Sequence, residues 1–326
     1  MTDDDYNVTI DHLETAQIIV AVISMICSLS VVFILIYKYQ LLYHGKLFSH
    51  YIFIIAICDS ITSFCFSLGY PSGWLCSIQG FLLIFFARAS WFWTVALTLN
   101  LFGICLYRKM IMTIKQAHLI TLSINTLLQL LPLTTKTYYG TTDDHAIQVC
   151  TYSKGGGSIA NAYSWVDTLV HLELIICFII LFVLTLVIIL NDKCFRKSNT
   201  LSTPIVESIS RGWLTVLYYP AGLFVAWVPG ILFAWYISIY QRVNGVQPPR
   251  ATLISSSLTI FNSLYGLILS IVYYSQTTDA RACWVDIYYE IKSKFITDDR
   301  IIDTRDTSQK SSFDYSSNND INVLLN

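Results

Sequence analysis

Residues 78–106 read IQGFLLIFFARASWFWTVALTLNLFGICL, a run whose single charge is Arg88. As a helix rising 1.5 Å per residue it would extend about 44 Å, more than the ~30 Å hydrocarbon core of a bilayer. No water reaches a backbone in hydrocarbon, so a run of this kind spans as a helix that bonds to itself. Six more apolar runs surround it, at 16–37, 51–70, 110–132, 166–190, 213–239 and 251–274. The run 110–132 is the least clear of them, interrupted by Lys115, Gln116, His118, Asn125 and Gln129. The expected fold is an all-α membrane protein, a bundle of seven transmembrane helices.

Composition agrees. Charged residues make up 13% of the chain and hydrophobic ones 55%, whereas ordinary soluble domains carry roughly a quarter charged residues. The distribution of basic residues orients the bundle. Connections on one side of the expected membrane hold fifteen Lys and Arg and those on the other side hold four. The bias toward basic cytoplasmic loops places the N-terminus outside and the C-terminus in the cytoplasm. Residues 1–15 then form an extracellular N-terminus without the basic start of a cleaved signal peptide, the first span serving as its own signal. Asn7-Val8-Thr9 is a glycosylation sequon on the outer side.

Five of the nine cysteines (Cys27, Cys58, Cys65, Cys105 and Cys177) fall within spans, and Cys194 and Cys283 fall on the cytoplasmic side. Cys76 and Cys150 are the two left outside, where disulfides persist. Their pairing would tie the loop 133–165, with its Gly155-Gly156-Gly157, across the outer mouth of the bundle; two free thiols are the alternative. Past the last span, Trp284, Ile287, Tyr288, Ile291 and Phe295 share one helical face beside Lys292 and Lys294. Residues 280–296 therefore read as a helix on the inner leaflet, with Cys283 as a site for palmitoylation. Residues 297–326 are too poor in apolar side chains to fold alone and read as a disordered cytoplasmic tail.

Ionisable groups are costly inside a membrane and mark pairs or sites. Arg88 falls near mid-membrane, with Asp167, Glu173 or Asp59 as candidate partners; it reads either as a ligand-orienting cation or as half of a structural ion pair. Trp91, Asp167, His171, Glu173 and Trp227 complete the candidate ligand site. The sixth span carries Pro220 and Pro229, which would bend it twice, with Trp227 beside the second bend. Asp59, Asn100, Asn262 and Tyr265 are candidate polar switch and packing positions. On the cytoplasmic side, Arg108, Lys109, Lys115 and Arg211 would face a signalling partner.

Gly80-Phe81, Phe85-Phe86, Ala89-Ser90, Trp93-Thr94 and Asn100, with Cys58-Asp59-Ser60, Tyr219-Pro220, Trp227, Asn262 and Tyr265-Gly266, carry a resemblance. In order and spacing they resemble the cyclic-AMP receptor family of social amoebae and its receptor-like relatives, the class E G-protein-coupled receptors. The resemblance covers roughly residues 20–275. It implies a multi-pass plasma-membrane receptor with a heterotrimeric G protein as partner, an extracellular small-molecule ligand such as a small anion or cyclic nucleotide, and a phosphorylated tail. Arg88 stands where that family would be expected to carry a small or apolar residue. Leu106-Tyr107-Arg108-Lys109 replaces the Asp-Arg-Tyr element of rhodopsin-like receptors. No lysine in 251–274 could hold retinal, and His118 and His171 alone make too thin a set for a zinc hydrolase. The sequence carries no cofactor, metal or nucleic-acid motif, and the expectation is a non-enzymatic receptor. A small-solute transporter and a seven-span membrane hydrolase stay open as alternatives.

Overall fold

The computed structural model describes residues 3–37, 48–69, 71, 73–107, 109–134, 172–173, 175–190, 217–244, 251–277, 280–289 and 292. Arg108, Cys150, Asp167, His171, Arg211, most of the loop 133–165 and the tail 297–326 lie outside the described residues. Every described regular element is an α-helix. They are α1 Asp3–Tyr37, α2 Ser49–Ser67, α3 Trp74–Tyr107 and α4 Ile114–Thr134. There follow α5 Ile175–Leu190, α6 Tyr218–Asn244, α7 Ala251–Ser263 and α8 Tyr265–Gln276. Residues 280–289 form a further helix, α9.

Five helical stretches are long and apolar enough to cross a bilayer: His12–Tyr37, Ser49–Ser67, Trp74–Ile104, Tyr218–Ile237 and Ser256–Gln276. By length and composition the chain is a membrane protein. α5 is apolar but shorter, and α4 is the more polar helix that the interrupted run 110–132 foretold.

The helices face lipid and bundle in a recognisable way. On α1, Gln17, Ala21, Ser24, Ser28, Val31 and Leu35 are buried. Their alternating spacing of four and three residues is one helical stripe. Ile19, Ile23, Ile26, Leu29, Phe33 and Ile36 are exposed on the rest of the helix. The buried stripe is thus smaller and more polar than the outer face, as expected where lipid rather than water surrounds a bundle. α1 packs on α2, α7 and α8; α2 on α3; α3 on α4 and α6; and α6 on α7 and α8. α5 joins through Phe178, whose ring lies 6.3 Å from Trp91 of α3 and 5.4 Å from Phe224 of α6. Leu101, Ile188 and Leu217 close the same three helices together at the far end from Cys76.

Three details differ from the sequence reading. The first helix does not start at the apolar run but at Asp3, where acidic residues complement the helix N-terminal dipole; residues 3–15 extend it instead of standing apart. Pro220 sits in the first turn of α6, where a missing N–H is tolerated, so Pro229 alone lies inside this helix. The last apolar run, 251–274, forms two helices that meet at Leu264, whose N–H is shared between the carbonyls of Ile260 at 3.2 Å and Phe261 at 3.1 Å.

Residues 281–326 cluster separately from the chain before them. In α9, Cys283 and Ile287 are buried while Trp284, Val285, Tyr288 and Tyr289 are exposed, and the Lys292 ammonium lies 5.9 Å from the Tyr288 ring centre.

Candidate functional site

The chemistry of this bundle gathers along α3. Arg88 is 1% exposed, and its Nη1 donates to Gln129 Oε1 of α4 at 3.0 Å. Its Nε lies 3.4 Å from Glu173 Oε2, just before α5. Of the three acids offered as partners, Glu173 takes the role. Asp59 instead accepts a hydrogen bond from Ser90 Oγ at 2.7 Å, and Asp167 lies outside the described residues.

α4 explains its own polarity here. Thr121, Asn125 and Gln129 are buried, four residues apart on one face, while Leu119, Leu122 and Leu127 are exposed on others. Asn125 Nδ2 donates to the Phe85 carbonyl at 2.9 Å and Gln129 Nε2 to the Phe81 carbonyl at 3.0 Å. The interruptions that made this span look doubtful are its seam with α3. Neither amide was expected to matter for Arg88, although the i, i+4, i+8 spacing of residues 121, 125 and 129 would have shown the stripe.

One turn beyond Arg88, Trp91 meets Trp227 of α6 edge to face, ring centres 4.8 Å apart. Both rings are buried and both indole N–H groups lack an acceptor. Glu173 likewise accepts no hydrogen bond on either oxygen. Four of the six residues read as a ligand site, Arg88, Trp91, Glu173 and Trp227, therefore converge where α3, α5 and α6 meet; Asp167 and His171 lie outside the described residues. Unmet donors and acceptors in a buried aromatic setting are costly, about 1–3 kcal/mol each. Such groups mark places where a bound molecule changes the balance.

α6 is positioned to respond. Pro229 deprives the Val225 carbonyl of its helical donor. Next to it, a Cβ on Gly230 would stand 3.2 Å from Asn262 Oδ1, so α6 and α7 approach closely beside the proline. Asn262 Oδ1 is buried without a partner.

Toward the other end, Asn100 holds a loop. Its Nδ2 donates to the Tyr51 hydroxyl at 2.6 Å, and its Oδ1 accepts the Met112 N–H at 2.8 Å. Trp93 packs edge to face on both Tyr51 and His118, 5.6 Å and 4.5 Å between centres. Ile111 lies so close to Gly103 that a Cβ there would collide with it. The connection from α3 to α4 is thereby pressed onto α3, leaving Lys109 and Lys115 exposed. Gln79, unremarked in the sequence, donates to the Cys65 and Gly69 carbonyls at 2.7 Å each and satisfies the end of α2.

Among the described residues Cys27, Cys58, Cys65 and Cys177 are free thiols; Cys76 is not one of them. Asn7 falls within α1. Comparison of the sequence with protein-family models and with curated proteins found no match.

Proposed function

We propose that the chain is a seven-span, plasma-membrane G-protein-coupled receptor of the cyclic-AMP-receptor-like class, with its N-terminus outside. The observation that carries this reading is the Trp91–Trp227 contact. It joins α3, which holds the Arg88–Glu173 pair, to the helix interrupted by Pro229. A ligand that enters between α3, α5 and α6 and engages Arg88, Glu173 or either indole would change that contact and bias α6 between two positions. Only a ligand with different affinities for the two positions shifts their populations. Arg108, Lys109, Lys115 and Arg211 would then face a heterotrimeric G protein, with Asn100 setting where the Lys109–Lys115 connection rests. A Cys76–Cys150 disulfide, a glycan on Asn7 and an acyl chain on Cys283 belong to the same reading.

The test uses intact cells expressing the chain with an epitope before Asp3 and a resonance-energy sensor of G-protein dissociation. The epitope is accessible without permeabilisation, and a small-molecule screen that includes cyclic nucleotides yields a dissociation signal. Trp227→Ala abolishes that signal at an unchanged surface level. An epitope reached only after permeabilisation contradicts the topology. A ligand response that survives Trp227→Ala contradicts the role of the α3–α6 contact.

A second reading, a small-solute transporter, draws on one observation. The seventh span breaks at Leu264, and broken helices line transporter sites. Ligand-dependent uptake of the solute into sealed vesicles, without any G-protein signal, would favour it.

A further inference from the structure

From α1 to α4 the chain is basic with almost no acid to answer it. Between Glu14 and Asp143 the sequence holds one acidic residue, Asp59, against seven Lys and Arg. Asp59 and Arg88 are buried in the bundle. Of the other six cations, five fall toward one end: four in the connections 38–48 and 108–113, and Lys115 in the first turn of α4. Neither α2 nor α4 carries an acid in its first turn.

Two histidines stand at the same end. His118, one turn past Lys115, is exposed, and its ring packs edge to face on Trp93 of α3, 4.5 Å between centres. His50, the second residue of α2, is partly exposed and close enough to act on the charge of His118. Trp93 also packs on Tyr51, beside His50, so α3 bridges α2 and α4 here. Each histidine heads an apolar stripe. On α4, Lys115, His118, Leu119 and Leu122 follow at i, i+3, i+4 and i+7, with Leu119 69% and Leu122 60% exposed. On α2, Phe53, Ile54 and Ile57 continue from His50 at the same spacing, all partly exposed. The buried face of α4 is polar, with Thr121, Asn125 and Gln129 toward α3. A helix polar inside and apolar outside faces lipid.

We propose that this end of α2 and α4 binds an anionic phospholipid, its phosphate held by Lys115, His118 and His50 and its acyl chain lying along the two apolar stripes. Lys115 supplies a full charge on a flexible stem, and each imidazole offers an N–H to a phosphate oxygen even when neutral. Basic groups at the ends of spans gather anionic headgroups, and no nearby acid competes for these. A patch facing only water would continue in polar side chains. Here leucines and isoleucines follow the cations, which is the order of a phospholipid itself, headgroup and then chain. Lys115, proposed to face a G protein, stands at the rim, where its stem also reaches the headgroup layer. The proposal rests on the reading of α4 as a span, and not on receptor function or on which side of the membrane this end faces.

The test places the purified full chain in nanodiscs of phosphatidylserine and phosphatidylcholine in equal amounts. Native mass spectrometry then identifies the lipids that stay bound on release. Phosphatidylserine is retained in preference to phosphatidylcholine. Lys115→Gln lowers that preference about fivefold, the worth of one cation beside an anionic surface. His118→Phe keeps a ring on Trp93 but loses the N–H donors, and lowers it again. Lys109→Gln, in the connection and outside the α4 stripe, leaves most of it. Lys115 is exposed, so Lys115→Gln reads the site even if His118→Phe does not fold. Equal retention of the two lipids, or a preference undiminished in Lys115→Gln, would overturn the proposal. So would a loss in Lys109→Gln as large as in Lys115→Gln, which would mean a diffuse attraction to the basic connections. Labelling of Leu122→Cys by a membrane-impermeant maleimide, beyond that of the parent chain, would overturn it separately by putting α4 outside the bilayer.

Discussion

Arg88 and Asp59 are both buried near the middle of the bundle, and the chain treats them in opposite ways. Arg88 is matched from two sides, by a carboxylate before α5 and an amide on α4. Asp59 has one serine and an idle oxygen. The first centre pairs a cation with a carboxylate and ties α3 to α4 and to the segment before α5. The second is held by a hydrogen bond on one oxygen. The difference separates a centre that ties several helices together from one held by a single serine.

The largest expected effect comes from breaking the matched centre. Arg88→Met strands Glu173, and removing one partner of a buried pair costs about 3 kcal/mol. Adding Glu173→Met should recover most of that loss, because two apolar side chains leave no charge behind. Unfolding midpoints of the two single variants and the double variant give the coupling directly. Additive losses would mean that the two charges do not depend on each other.

A smaller effect is expected from the amide that supports the same centre. Gln129→Leu removes the acceptor of Arg88 Nη1 and the donor to the Phe81 carbonyl, a loss of about 1–2 kcal/mol. The loss should vanish in the Arg88→Met, Glu173→Met background except for the Phe81 bond. A change as large as that of Arg88→Met would make the α3–α4 seam, and not the ion pair, the stronger tie.

Much of the fold was legible because lipid-spanning helices announce themselves by length and apolarity. The described helices overlap all seven apolar runs, and Glu173 was among the acids named for Arg88. Other features depend on neighbours that a linear reading does not show. The break at Leu264 arises where Gly266 meets Ser24 and Ser28 of α1, more than two hundred residues earlier. Pro220 and Pro229 look alike in sequence, yet their effects differ because α6 begins at Tyr218. Polar residues of the fourth run looked like defects until α3 supplied the carbonyls they bind. Asn100 was singled out as a packing position, but its grip on Met112 requires the chain to double back after Tyr107.

The contrast between the two buried charges is tested most directly by removing each carboxylate charge with its amide isostere. Glu173→Gln and Asp59→Asn are compared with the parent chain by thermal unfolding in one buffer. The account predicts opposite outcomes. Glu173→Gln unfolds several degrees lower, because it leaves Arg88 buried without counter-charge. Asp59→Asn unfolds at the parent temperature or above it, because a neutral side chain relieves an unmatched charge. An Asp59→Asn chain destabilised as much as Glu173→Gln would contradict it, and would mean that Asp59 too is matched from within the bundle.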